Sequence, residues 1–130
     1  LLLIGLVSYF NTNNENTQKM VSNSEEIEVQ NINPQELNTM LSSKDFTLID
    51  VHIPEQQHIK GTDKFIPYNQ LQQNINNLPQ DKDEKIVVYC RSGSMSAMAS
   101  QELIKMGYTN VFDLQGGTNA WKRAGYEFES

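Results

Sequence analysis

Apolar and polar residues come in alternating blocks over most of the chain, and this pattern predicts alternating strands and helices from about residue 27. Short apolar runs rich in β-branched residues predict buried strands. These runs are FTLIDV (46–51), KFIP (64–67), KIVVYC (85–90) and NVFDL (110–114). Apolar residues at helical spacing predict helices at 32–43, 69–78, 94–107 and 118–125. This alternation indicates an α/β domain with a central, mainly parallel sheet flanked by helices.

Two of the predicted helices carry recognisable end signals. In the first, Asn33 can cap the helix, Pro34 suits the first turn and Glu36 stands where a capping box requires it. The helix at 94–107 is expected to end at Gly107. Its inward face is predicted to consist of Met95, Met98, Ala99, Leu103 and Met106.

The beginning of the chain differs from the rest. Residues 1–10, LLLIGLVSYF, are apolar but too few to span a bilayer, which takes about 20 residues. They predict the remnant of a signal peptide or membrane anchor; a helix or strand of the fold is the alternative. Residues 11–26 are polar and rich in Asn and Ser, which predicts a disordered linker. We therefore expect a domain at 27–130 and an exported protein, periplasmic or in the cell envelope; a cytoplasmic protein is the alternative.

The net charge and the single cysteine argue against several classes of function. The net charge is -6, and no basic stripe is present that would bind the phosphates of a nucleic acid. The single cysteine excludes an internal disulfide, and its spacing from His52 and His58 resembles no zinc motif. We expect no metal, no nucleic-acid partner and a monomer.

The segment YCRSGSMSAMAS (89–100) places Cys90 at the carboxyl end of the strongest strand, directly before a helix. Ligands bind at this edge of a parallel sheet. Gly93 allows an unusual backbone, so loop N–H groups and the helix N-terminus can surround the sulfur and favour its thiolate form. Arg91 adds a cation. The alternative is that Cys90 is a small buried core residue; a catalytic role requires the sulfur to be reachable from solvent.

Three segments together resemble the rhodanese-like single-domain sulfurtransferases. LIDVHIPEQQHIKG is similar to the D-V-R…E…G-H-I-x-G segment of that family, IVVYCRSGSMSA to its active-site loop C-R-S-G-x-R-S, and VFDLQGGTNAWKRAGY to its L-x-G-G-x-x-A-W ending. The resemblance covers roughly the last 100 residues, and the order and spacing of the segments match the family.

The resemblance implies a mechanism in which the Cys90 thiolate takes the outer sulfur of thiosulfate or a persulfide. Cys90 then carries that sulfur as a persulfide to a thiophilic acceptor such as cyanide or a thiol, small or on a protein. No cofactor is implied. The residues implied to bind the substrate, largely through backbone N–H groups, are Arg91, Ser92, Gly93, Ser94, Met95 and Ser96.

The sequence departs from the family pattern at two positions. Met95 stands where many relatives carry arginine, which predicts weaker binding of small dianions and favours a persulfide or protein donor. His52 replaces the arginine after D-V and is expected to be structural, with an acid–base role as the alternative. His58 is also expected to be structural, and Asp50 is expected to support a loop backbone.

Two other functions remain as alternatives. A phosphatase or arsenate reductase of the related fold requires an arginine where this chain has Ser96, so the clamp on a tetrahedral oxyanion is missing. A non-catalytic sulfur carrier or partner-binding module would keep the cysteine but load sulfur only from its partner.

Trp121 is expected to anchor the last helix on the sheet, after a turn at Gly116 and Gly117.

Overall fold

The computed structural model describes residues 26–130, so the predictions for 1–10 and for nearly all of 11–26 lie outside the described residues. Within the described part, five strands form one sheet. They are β1 (Gln30–Ile32), β2 (Thr47–Asp50), β3 (Lys64–Phe65), β4 (Ile86–Tyr89) and β5 (Val111–Leu114). The strand order is β1-β5-β4-β2-β3, and every pairing is parallel. The predicted α/β fold with a central parallel sheet is confirmed.

Three helices cover the sheet: α1 (Pro34–Leu41), α2 (Ser94–Lys105) and α3 (Gly117–Arg123). The capping box of α1 forms as predicted, because Asn33 accepts from the backbone of Glu36 and the Glu36 side chain accepts from the backbone of Asn33. No helix among the described residues is both long enough and apolar enough to cross a membrane.

The core is divided by the sheet into two clusters. Alternate residues of β4 point to opposite faces, so Val88 and Cys90 join the cluster under α2, whereas Val87 and Tyr89 join the other. The second cluster also holds Leu37 and Trp121, which belong to α1 and α3. The predicted anchoring role of Trp121 is confirmed: the residue is 1% exposed and its indole N–H donates to the Glu127 carbonyl at 2.9 Å.

Two details of the secondary structure differ from the prediction. The edge strand β1 was not predicted, because its polar residues Gln30 and Asn31 are exposed and give no apolar run. The helix predicted at 69–78 is wrong: the segment forms turns and a short 3₁₀ helix at Ile75–Asn77. Since four of these residues are asparagines, whose side chains compete for backbone groups, the segment favours turns over a regular helix.

The inward face of α2 also differs in part. Ala99 and Leu103 are buried as predicted, but Met98 is 59% exposed. Ser96 and Ser100 are buried in its place. Met95 and Met106 are half-buried and pack on the cluster under α2 as predicted, so hydroxyl groups and thioethers both lie on this face.

Candidate active site

Cys90 follows the last residue of β4, the central strand of the sheet. On one side β4 pairs with β5, where Val88 lies opposite Asp113; on the other it pairs with β2, where Tyr89 lies opposite Asp50. The cysteine therefore stands at the carboxyl edge of the sheet with an aspartate on each neighbouring strand. This is the edge at which parallel α/β sheets bind ligands.

The sulfur of Cys90 is covered by its own loop. Its Sγ accepts a hydrogen bond from the Gly93 N–H, with 3.1 Å between nitrogen and sulfur, and donates to Ser96 Oγ at 3.4 Å. The Ser96 hydroxyl donates in turn to the Gly93 carbonyl at 3.2 Å. Cys90 is 1% exposed, so in this arrangement the loop does not present the sulfur to solvent as the sequence led us to expect. The cause is the face of β4 on which Cys90 lies, which is the packed face under α2.

Gly93 provides the backbone turn that brings an N–H to the sulfur. Its φ is +126°, a value that residues with a side chain rarely adopt, and it stands immediately before the first residue of α2. A Cβ at this position would have no heavy atom within 4 Å, so the glycine serves the backbone conformation rather than packing. The first N–H groups of α2 have no partner within the helix and lie beside the same loop. The prediction that Gly93 allows a backbone conformation unfavourable for other residues is confirmed.

The start of α3 supports the loop from the other side. The backbone N–H of Thr118 donates to the Cys90 carbonyl at 2.9 Å, and that of Asn119 donates to the Arg91 carbonyl at 3.0 Å. A Cβ on Gly117 would lie 2.3 Å from the Cys90 carbonyl oxygen, so only glycine allows this approach. The carbonyls of Cys90 and Arg91 are thereby held towards α3, while the Gly93 N–H faces the sulfur.

The remaining predicted site residues are distributed over both sides of the loop. Arg91 is exposed and lines a cleft of about 410 Å³ together with Lys122 of α3. Ser92 is exposed and, with Gly93, lines a separate groove beside α2. Ser94 is an exposed first residue of α2. Met95 is half-buried and packs on the cluster under α2, so its side chain fills core space beside Cys90.

Asp113 is a site residue that the sequence interpretation did not single out. It lies on β5 on the same face as Cys90, is 4% exposed, and its Oδ1 has no hydrogen-bond partner within the described residues. Burial raises the pKa of Asp113 to about 6, although an interaction with the Ser96 hydroxyl acts in the opposite direction. The signal that could have found it is a carboxylate in an otherwise apolar strand, on the face shared with Val111.

Asp50, on the other neighbouring strand, is fully buried and fully paired. It accepts from the His52 backbone N–H at 3.0 Å and from the Gln56 amide at 3.2 Å, and its Oδ2 lies 2.8 Å from His58 Nδ1. The other ring nitrogen of His58 lies 2.7 Å from a Glu55 oxygen. The expected supporting role of Asp50 and structural role of His58 are confirmed.

Both histidines are held within the loop that follows β2. Burial alone would lower the pKa of His58, but hydrogen bonds and charges from Asp50 and Glu55 outweigh it and raise that pKa. His52 places its Nδ1 2.7 Å from the Pro54 carbonyl, a contact that fixes the loop and does not involve the sulfur. Within the described residues, no group of three or more His, Cys, Asp or Glu side chains is arranged to hold a metal ion.

Comparison with known proteins places this arrangement in a family. Residues 33–124 match the family model for the rhodanese-like domain. The chain is 32% identical over 88 residues to a sulfurtransferase of Allochromatium vinosum, covering 66% of this chain and 80% of the relative. It is 37% identical over 71 residues to the thiosulfate sulfurtransferase PspE of Escherichia coli K12, covering 52% of this chain and 67% of that protein.

The fold is matched by solved structures as well. The crystal structure of a rhodanese-like domain protein from Staphylococcus aureus superposes with a TM-score of 0.65 at 28% identity, covering 78% of this chain and all of that one. The resemblance inferred from the three sequence segments is therefore confirmed.

Proposed function

Because the chain belongs to the rhodanese-like domain family, we propose that it is a sulfurtransferase that carries sulfane sulfur on Cys90. The family and the sulfurtransferase relatives support transfer of sulfur in general. The choice of Cys90 as carrier, and of thiosulfate or a persulfide as donor, is our proposal. It rests on the geometry of the Cys90 loop.

The proposed reaction has two balanced steps. In the first, the Cys90 thiolate attacks the outer sulfur of thiosulfate, a bond forms between the two sulfurs, and the bond to the sulfonate sulfur breaks to release sulfite. In the second, the acceptor attacks the terminal sulfur and Cys90 leaves as thiolate. With cyanide as acceptor the product is thiocyanate. Each step is a displacement at sulfur, so no external oxidant or reductant is required.

One observation carries this proposal: the Gly93 N–H donates to the Cys90 sulfur at 3.1 Å, at the N-terminal end of α2. A hydrogen bond from a fixed backbone donor, together with the positive end of a helix, stabilises negative charge on sulfur. The same donors stabilise the terminal sulfur of a persulfide anion, as an oxyanion hole stabilises oxygen. A cysteine that served only as core filler would need neither.

Access to the sulfur requires movement of the loop, because Cys90 is 1% exposed. The loop has room to move: Arg91 and Ser92 are exposed, and the space beside Gly93 is open. Residues 91–93 belong to no strand of the sheet, so opening this short segment leaves the strand pairings in place. We therefore expect small donors to load Cys90 faster than bulky thiol reagents modify it.

An anionic donor is best accommodated from the side of Arg91. Arg91 and Lys122 line the same cleft, and neither forms an ion pair with another residue between 26 and 130. Two unpaired cations attract a sulfonate or a carboxylate-bearing persulfide. Met95, turned into the core, adds no charge beside the sulfur, so we expect thiosulfate to bind weakly.

The test is a thiosulfate–cyanide assay of the full chain, wild type against Cys90→Ser. We expect modest thiocyanate production by the wild type and none above background by the variant. Mass spectrometry of the wild type after thiosulfate treatment should show the mass of one added sulfur on Cys90, which cyanide removes. Serine is the replacement of choice because it is similar in size to cysteine and keeps a hydrogen-bonding group, but removes the thiol nucleophile.

Equal rates for wild type and Cys90→Ser would refute the proposal. A wild type that gains no sulfur from thiosulfate or small persulfides, yet gains it from a protein persulfide, would instead indicate the carrier function. Phosphatase activity is disfavoured by Ser96, which lies under the loop where an arginine would be needed to clamp a tetrahedral dianion.

A further inference from the structure

A groove of about 760 Å³ lies beside the proposed sulfur site and is separate from the cleft proposed for the anionic donor. Ser92 and Gly93 of the Cys90 loop form one end of it, and residues of α2 form one wall. The segment before β1, including Glu26 and Glu28, forms the opposite wall, and Asp113 lies in its lining. Because Gly93 also donates to Cys90 Sγ, a ligand in this groove contacts the same loop that holds the sulfur.

The charge of the groove has one sign. The described residues that line it include three carboxylates, Glu26, Glu28 and Asp113, and no lysine, arginine or histidine. No ion pair found within residues 26–130 involves any of the three. The other polar side chains in the lining are neutral, among them Ser100 and Gln115. An anion is repelled here, and a cation is attracted.

Asp113 provides an observation that is independent of the surface charges. Its Oδ1 is buried and unpartnered, and an unpaired buried carboxylate oxygen costs free energy unless a donor satisfies it. Other buried aspartate oxygens in this fold find donors, as those of Asp50 do. A protonated amine in the groove would supply both the missing donor and the opposite charge.

We propose that this groove binds the ammonium group of a cationic acceptor thiol, so that small aminothiols are the preferred acceptors of the sulfur carried on Cys90. The inference rests on the proposed function for its transfer step. The acceptor thiolate attacks the terminal sulfur of the Cys90 persulfide, the bond from that sulfur to Cys90 Sγ breaks, and the thiol proton goes to solvent. The products are the aminothiol persulfide and the Cys90 thiolate, so charge and electrons balance.

The two sides of the loop then serve different charges. The cleft with Arg91 and Lys122 suits the anionic donor, whereas the groove with Asp113 suits the cationic acceptor. The two lining sets share no residue. Donor and acceptor thus approach a single sulfur from two surfaces of opposite sign, which favours release of the anionic first product before the acceptor binds.

The preference should depend on pH through Asp113, whose pKa is raised to about 6 chiefly by burial. The titratable groups that face it are Glu26 and Glu28 from the segment before β1 and Cys90 from the end of β4, while α2 contributes only neutral side chains to the groove. Above that pKa the carboxylate pairs with the ammonium group. Below it the protonated acid has no charge to offer, and the preference for a cation should weaken.

The kinetic experiment uses the full chain loaded with sulfur from thiosulfate and compares cysteamine, 2-mercaptoethanol and 3-mercaptopropionate as acceptors. We expect Asp113→Asn to lower the ratio of cysteamine to mercaptopropionate rate constants about tenfold, the effect of losing one charge-assisted hydrogen bond. Glu84→Gln is the matched control, because it removes the same charge from an exposed residue before β4, outside the groove. A ratio that is equal in wild type and Asp113→Asn would overturn the inference.

A binding experiment keeps the inference testable even if no sulfur is transferred. S-methylcysteamine carries the ammonium group but no thiol, and NMR titration of the full chain can follow its binding. We expect shifts at Gly93, Ser100 and Asp113 that Asp113→Asn weakens about tenfold and Glu84→Gln leaves unchanged. Failure of Cys90 to load sulfur would refute the proposed function, whereas equal binding by wild type and Asp113→Asn would refute the groove.

Discussion

Two aspartates flank the central strand of this domain, and they differ in the face of the sheet on which they lie and in their hydrogen-bond partners. Asp50 ends β2 and is fully buried, with its carboxylate accepting from a backbone N–H and the Gln56 amide and bonded to the His58 ring. Asp113 lies on β5, on the other face of the sheet, and has a buried oxygen with no partner among the described residues. Burial is similar for the two, so the difference lies in the donors that surround each.

The comparison separates a structural carboxylate from one that is available to a ligand. Asp50 ties the loop after β2 to α3, because the Gln56 side chain that donates to it also accepts from the Thr118 hydroxyl at 3.1 Å. Its bonding capacity is used within the fold. Asp113 keeps unused capacity beside the Cys90 loop, at a cost in stability that a bound cation would offset.

The largest effect on stability is expected from Asp50→Asn. An amide group would turn a donor towards the Gln56 amide or the His58 ring, and His58 would lose its buried counter-charge. We expect a loss of about 3–5 kcal/mol in the free energy of unfolding, as for a broken buried pair. Urea denaturation measures it, and Asp45→Asn, an exposed aspartate paired with Lys85, is the control with an expected loss of about 0–1 kcal/mol.

Asp113→Asn is expected to raise the free energy of unfolding at neutral pH, whereas Asp50→Asn lowers it. The pKa of Asp113 is raised from 3.8 to about 6, so ionisation is disfavoured in the folded protein. Wild-type stability should therefore fall as pH rises from about 4 to about 6 and stay lower above that range. Removing the charge should stabilise the protein at neutral pH by roughly 1–2 kcal/mol and give no gain near pH 4. Equal stabilities at both pH values would contradict the assigned environment of Asp113.

The smallest effect is expected from His58→Gln. Contacts with Asp50 and Glu55 raise the pKa of His58 above its ordinary value of 6.5 despite burial. The stabilisation is complete below the ordinary value and is lost as pH rises through the raised one. We expect a loss of about 1 kcal/mol near pH 6 and a smaller loss near pH 8. Thermal denaturation at the two pH values tests this, and an equal loss at both would show that the histidine acts without its charge.

Much of the fold followed from the order of apolar runs. FTLIDV, KIVVYC and NVFDL became β2, β4 and β5, and the end signals at Asn33 and Glu36 placed α1 correctly. These features depend on near neighbours in the chain, which the sequence shows directly. The helix prediction for 69–78 was wrong for a reason that is also local. The asparagines of this segment favour turns, and its apolar period is weak.

The amino-acid sequence by itself determined the alternation of strands and helices, the position of Cys90 at the end of the central strand, and the glycine that turns the loop. Only the tertiary structure decided that the sulfur is covered, that Arg91 and Asp113 face different surfaces, and which of two aspartates is left without a donor. The physical reason is that burial and pairing depend on groups brought together from distant parts of the chain. The local sequence pattern determines the secondary-structure element on which a side chain lies, whereas tertiary packing determines its contacts.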